Sequence, residues 1–507
     1  MKFNFSGKED EYTYLLRKFT LDKLLKRINI ETAELLTSVL FSDVSGTKRV
    51  SFPLIDTSTG ARKNQEVFLT GWNLVDLAYS SIVCGNDYRG KAISDVNELY
   101  LLVSLTESMH QKRESEWMDV DDFQSTPDLF LYLWGFFGEQ KKIQQPGKVF
   151  DNLSREMYML LDLAPRIQGV SNIQEIVNYE VGVCAEKIIL ALFLAWFAST
   201  QAQTQKEWEE NLIWGETLSL EEFRVIMSRY TATYQDVRSS KLGRQYLYVK
   251  PYIQTQNKEI ISINCYLNFF LVEHCVLWCV RDYYFRTNSR QFTSEFGLLF
   301  EEYFKELLMN TLVDEAYERI PEEKKSRADW RIVLGKYRFL IEQKSPLLGL
   351  DAKQQESNLE VMKTFCTRNI VKGINQLGET EKDFGDGPYI KIILLYEDYL
   401  YTGIIDHVFA LPECKQKNDY LYWLVTIDEL ETLLFLYHSD EKLFDEIMDK
   451  KIAREVTRSN EGKSLSQIFG ENGVSKNPYI AQEKFQKHLD RIKHDSLQHV
   501  RNTVKIC

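Results

Sequence analysis

The sequence predicts an α+β fold in which a mixed α/β core lies between a large, mainly helical N-terminal region and a helical tail. Two observations predict it. Between about residues 290 and 434, runs rich in β-branched and aromatic residues (Trp330 to Leu334, Tyr337 to Ile341, Tyr389 to Tyr396, Tyr422 to Ile427) alternate with stretches whose apolar residues recur at helical spacing. Before residue 245 and after Leu434, helical spacing prevails. At 507 residues, 44% of them hydrophobic, the chain is long enough for about three domains with real cores. We place them at 1–245 (recognition or assembly), 246–434 (with a core at 292–434) and 435–507 (tail).

In the N-terminal region Leu21 to Leu40 has helical spacing, and Arg49 to Leu54 with Glu66 to Leu69 predicts a small hairpin around the Thr57-Ser-Thr-Gly60 turn. Helices are expected at Val96 to Ser108, Leu129 to Phe137, Arg155 to Leu163 and Ile173 to Phe197, with loops at Gly85 to Gly90 and Gln144 to Gly147. None of these stretches carries a motif for chemistry.

Composition narrows the function classes. A net charge of -12 and a pI near 5.4 argue against an indiscriminate nucleic-acid coat protein, so any nucleic-acid contact must come from local basic patches. The eight cysteines have no framework spacing, which suits a reducing compartment. His274, Cys275 and Cys279 lack a second ligand pair and read as core packing. The start is charged throughout, without a signal peptide's apolar run, and Ile188 to Ala198 is too short to span a bilayer. A cytoplasmic protein with no membrane association is expected.

From Tyr246 to Ile253 and from Ile260 to Cys265 two strand-like runs flank a polar turn, and a helix from Leu267 to Tyr284 follows. Basic residues just upstream, Arg238, Lys241 and Arg244 among them, interleave with Tyr230, Tyr234, Tyr246, Tyr248 and Tyr252. Such a pattern can clamp phosphates and stack bases, and equally fits an ordinary strand.

Next, Gln291 to Leu308 places Phe296, Leu299, Phe300, Tyr303, Phe304 and Leu307 on one helical stripe, with Thr293 or Ser294 as its cap. Trp330 to Leu334 and Tyr337 to Ile341 then flank Gly335-Lys336, a pair that a two-residue turn accepts. With Leu334 facing Tyr337, counting outward sets Asp329 opposite Glu342, their Cβ atoms about 5 Å apart. Alternation puts Lys344 on the face of Glu342. Opposed carboxylates repel unless a cation lies between them, and one or two acidic side chains suit Mg²⁺. A nearby lysine can hold a phosphate oxygen or orient an attacking water. The same residues on a hairpin also suit a merely solvated face.

Gly297-Leu-Leu-Phe300-Glu301, Asp329 and Glu342-Gln-Lys344 together resemble the PD-(D/E)XK nuclease superfamily, the restriction-endonuclease-like fold, over roughly Phe292 to Leu434. The resemblance implies an αβββαβ core, one early strand of which has no place yet in the sequence. It also implies metal-dependent phosphodiester hydrolysis, with Asp329, Glu342 and Glu301 as ligands of Mg²⁺ (Mn²⁺ possible) and Lys344 completing the catalytic set. The family's proline is Ala328 here. Asn358 to Leu377 reads as a helix with Lys363, Arg368 and Lys372 on its polar side, and in many members polar residues like Asn375-Gln376 point from it toward the site. DNA is the usual substrate of the family and RNA that of some members. A helical region fused to such a nuclease without a motor resembles regulated effectors of bacterial anti-phage systems, which implies a homo-oligomer or a complex with a regulating protein. The alternative is a non-catalytic nucleic-acid-binding or scaffold protein.

In the tail, helices are expected from Glu441 to Arg458 and from Ala481 to Val504, the latter mildly basic. Gly462-Lys-Ser464 is not a phosphate loop, because Thr457 stands where its first glycine belongs.

Overall fold

Gly335 adopts the left-handed backbone (φ +55°) that a side chain resists, and it turns the chain back on itself. The strands it joins, β2 (Trp330–Leu334) and β3 (Tyr337–Lys344), pair antiparallel from Leu334↔Tyr337 to Trp330↔Ile341, the register expected from the sequence. They are preceded by β1 (Tyr317–Arg319), the early strand left unplaced above, and followed by β4 (Ile390–Leu395) and β5 (Tyr422–Thr426). The sheet order is β5-β4-β3-β2-β1, with β3, β4 and β5 parallel to one another and β1 antiparallel to β2. The computed structural model describes residues 2–3, 9–42, 46–56, 60, 62–87, 89–93, 95–117, 127–133, 148–201, 204–287, 289–321, 327–345, 359–400, 402–457 and 464–499. The turn at 57–59, the stretch 134–137, the loop 144–147, Asn358, Gly462, Lys463 and the positions beyond His499 lie outside them.

Helices cover both faces of the sheet, which is why β4 and β5 are buried along their whole length. Trp330, Ile341, Ile392 and Trp423 pack with Phe300 and Phe304 of the Ser289–Thr311 helix and Leu433 of the Ile427–Ser439 helix. Leu340, Ile393 and Leu395 point the other way, against Cys366, Ile370 and Ile374 of a helical run from Leu359 to Phe384 whose Cys366–Val371 turn is π-helical. The fold is therefore mixed α+β.

Several elements differ from expectation. Tyr246 to Val249 forms a helical turn, closed by the Lys250 N–H donating to the Tyr246 carbonyl (2.9 Å), and the strand is confined to Tyr252–Gln254. Four alternating residues before Pro251 fit one helical turn as well as a strand. Ile173 to Phe197 divides into Ile173–Val181 and Ala185–Thr200, bent by 57°, because Gly182 turns left-handed (φ +80°). Thr293 and Ser294 cap nothing; they lie inside a helix that already begins at Ser289 and is anchored by Phe292 against Tyr284, rings 6.1 Å apart. The helix predicted from Leu267 runs Cys265–Thr287 and kinks at His274, where the Leu277 N–H is taken by Glu156 Oε1 (3.1 Å).

The Arg49 pairing with Phe68 in the Thr47–Asp56/Arg62–Thr70 hairpin matches expectation. Among the described residues no single helix is long and apolar enough to cross a membrane. Cys275 and Cys279 are buried thiols.

The three stretches drawn from the sequence share one apolar cluster that reaches from Tyr12 to Ile492. The limit at Leu434 falls inside the Ile427–Ser439 helix, and Phe485 of the Glu483–His499 helix returns to pack on Tyr158, rings 4.8 Å apart. At the centre of this junction Arg155 of the Val149–Met157 helix, 2% exposed, donates to both oxygens of Glu431 (2.6 Å each) and to Asp428 (3.3 Å). Removing one partner of a buried pair strands the other charge. Arg155→Ala should therefore lose about 3–5 kcal/mol, read as a lowered urea midpoint, whereas Arg155→Met with Glu431→Leu should lose much less.

Candidate active site

Asp329 stands at the mouth of the hairpin. Its N–H donates to the Ile341 carbonyl (3.0 Å), its carbonyl accepts from Ile320 just past β1 (2.9 Å), and its Oδ2 accepts the Gln343 N–H (2.6 Å). Because Trp330 and Ile332 face one side of the sheet, Asp329 faces the other, the side of Leu340, Glu342 and Lys344. The expected juxtaposition of Asp329, Glu342 and Lys344 is thus present.

The helix above them packs on this face at Gly373, where a Cβ would touch Lys344 Cε at 3.4 Å and Glu342 Cγ at 3.5 Å, ordinary van der Waals contact. Lys344 Nζ donates to Glu342 Oε1 and to Gln376 Oε1 (3.1 Å), and Gln376 Nε2 donates to the Arg327 carbonyl (3.1 Å). Of the two residues expected to face the site, Gln376 does so, whereas Asn375 turns away and bonds to the Glu413 carbonyl (3.1 Å) and the Lys415 N–H (2.9 Å). One turn on, Thr380 Oγ1 accepts the Ala328 N–H (2.8 Å), so the helix is tied to the segment that delivers Asp329.

Glu342 is 3% exposed, and its second oxygen, Oε2, makes no hydrogen bond. Burial, with the charge of Asp329 next, pushes its carboxyl up to about 8, against the pull of Lys344. Asp329 is also raised, by burial, with the Gln343 N–H and Lys344 opposing.

Glu301 is held differently. It projects from the Ser289–Thr311 helix and is paired with Arg319 at the end of β1 (2.5 Å). Among the described residues no group of three His, Cys, Asp or Glu side chains is arranged to hold a metal ion, so Glu301 is not brought together with Asp329 and Glu342 as a third ligand. Asp329 and Glu342 remain a fitting pair for a hard divalent cation, because Mg²⁺ is commonly held by one or two carboxylates with water, and Glu342 Oε2 is a buried acceptor lacking a donor.

The outlying candidates divide. Arg368 and Lys372 are exposed on the covering helix, and Lys372 is near enough to act electrostatically on Glu342. Lys363 is paired with Asp128 (3.0 Å). The basic and aromatic stretch is not a clamp: Arg238 is gripped by Asp87 (2.6 and 2.8 Å), Arg244 pairs with Asp76 (2.7 Å), and Tyr230, Tyr234 and Tyr252 are buried, leaving Lys241 exposed. Those tyrosines fill the core of the helical half and cannot stack on bases. Sequence reading missed Arg319, whose three-residue strand is too short to show a period, and Gly373, whose part is visible only in three dimensions.

Comparison of the chain with protein-family models, with curated proteins and with solved structures finds no match.

A carboxyl raised by folding stabilises the folded state while protonated. That contribution is full below the ordinary carboxylate range and is lost as pH rises through about 8. Glu342→Gln cannot ionise, so it should stay close to the parent chain in thermal unfolding at pH 5 and exceed it at pH 9, by up to roughly several kcal/mol.

Proposed function

We propose that this chain is a divalent-cation-dependent nuclease that hydrolyses phosphodiester bonds in DNA or RNA, built on a restriction-endonuclease-like core. The observation that carries the reading is the buried Glu342 carboxyl beside Asp329, with one oxygen lacking a donor and a lysine fixed next to it. A purely structural pair would gain nothing from opposing two carboxylates in a sheet. The strand and helix order around it, with β1 supplying the early strand, also supports the reading.

Asp329 and Glu342 would hold Mg²⁺ or Mn²⁺. When bound, the ion supplies Lewis-acid polarisation of the phosphodiester and activation of water. Lys344 donates hydrogen bonds toward a phosphate oxygen or the attacking water, and Gln376 fixes its direction. Arg368 and Lys372, exposed on the adjoining helix, face the backbone of a nucleic acid laid across the site.

A second reading, a domain that binds without cutting, is favoured by the hold of Arg319 on Glu301. Incubation with linear DNA, circular DNA and total RNA, with and without Mg²⁺ or Mn²⁺, separates the two. Cleavage should require the ion, and Asp329→Ala or Lys344→Ala should lower it by roughly a hundredfold or more while melting as cooperatively as the parent chain. Undiminished cleavage by both folded variants would refute the nuclease assignment. Lys372→Ala should weaken nucleic-acid binding about equally for all sequences and reduce the salt slope by about 1.

A further inference from the structure

Resting on the nuclease reading, we infer that Arg319 is a positioning residue that holds Glu301 away from the Asp329–Glu342 pair until a divalent cation competes for it. Cation uptake at this site is then an exchange, a guanidinium for a metal ion.

The backbone fixes Arg319 beside the site. It pairs in register with Trp330, and the next residue, Ile320, donates its N–H to the Asp329 carbonyl (2.9 Å). From there its guanidinium reaches Glu301 (2.5 Å) on the helix that covers the far face. Both residues act electrostatically on Asp329, from opposite signs, so both stand close to the carboxylates.

The charges explain the arrangement. Asp329 and Glu342 share one face with Lys344, whose Nζ donates to Glu342, and Glu301 on the helix behind the sheet is near enough to act electrostatically on Asp329. Glu301 and Asp329 repel each other, and Arg319 supplies countercharge to Glu301. Glu342 Oε2, buried and without a donor, marks a place that this internal countercharge does not fill. The Arg319–Glu301 pair is also breakable, because the side chains are 52% and 28% exposed, and such pairs hold weakly in water. Glu301 can thus be released without disturbing the core, whereas Asp329 and Glu342 are built in.

Calorimetric titration of the full chain with Mn²⁺ tests this without reference to cleavage. Arg319→Ala should bind Mn²⁺ roughly two- to fivefold tighter than the parent chain, Arg319→Lys should bind about as the parent does, and the gain should vanish when Arg319→Ala is combined with Glu301→Gln. Arg319→Gln replaces the alanine variant if that one fails to melt cooperatively. An unchanged or weaker affinity in the folded Arg319 variant overturns the inference, as does a gain that persists in the Glu301→Gln background. Glu342→Gln separates this failure from failure of the site itself. If that variant loses Mn²⁺ binding while Arg319→Ala gains none, only the exchange is wrong; if Glu342→Gln binds undiminished, or no variant binds, the cation site and the exchange fall together.

Discussion

Four segments of the chain meet at a buried ion pair, Arg155 with Glu431. Neither charge is reachable by water, so each must be satisfied inside the protein, and both are: Glu431 also receives the Tyr303 hydroxyl and the Asn477 amide, and Arg155 also reaches Asn152 and Asp428. Four separate segments converge there: a helix of the N-terminal region, the Ser289–Thr311 helix, the Ile427–Ser439 helix and the segment leading into the last helix. Lys148 adds a second tie to Asp428 and Asp398. A division into independent parts would have to break this cluster.

The candidate site inherits its rigidity from the same place. The helix that contributes Tyr303 to the cluster carries Glu301 two residues earlier, and the Phe300 carbonyl in that helix accepts Gln343 Nε2 (3.3 Å). Gln343 in turn donates its backbone N–H to Asp329 and takes the Trp330 indole N–H on its side chain (2.7 Å). A residue that looked like a spacer between Glu342 and Lys344 therefore couples the carboxylates to the helix behind the sheet. On the other face, Gln376 and Thr380 do the same for Lys344 and for the entry to Asp329. Asp329 and Lys344 are held from the two sides of the sheet, whereas Glu301 is held by a more exposed contact with Arg319.

What could be read from the sequence was what local periodicity encodes. Period-two runs about a turn glycine give the hairpin, and counting from that turn gives the Asp329–Glu342 juxtaposition, because side chains on a strand alternate without slack. Gln376 was reachable through its resemblance to a known pattern. Arg319 was not, since three residues carry no period, and Tyr246 to Val249 was misread because a four-residue alternation fits either geometry. The Arg155 pair was invisible for another reason: its partners are 276 residues apart, and neither stretch differs in composition from an ordinary amphipathic helix. Gly182 shows the same limit in miniature, where a single backbone angle divides one apolar run into two helices.

The kink at His274 has a further meaning when set beside Arg155. Consecutive residues of one helix serve opposite neighbours: Arg155 binds the carboxylate of Glu431, and Glu156 receives the freed Leu277 N–H and hydrogen-bonds His274 Nδ1 (2.7 Å). If that helix docked one residue out of step, a slip in one direction would bring Glu156 against Glu431, and a slip in the other would bring the Arg155 guanidinium against the Leu277 N–H. Apolar contacts would tolerate such a slip far better than these charges do. The neighbouring opposite charges thus work as a key with one orientation, encoding alignment between the two halves of the chain rather than strength of attachment.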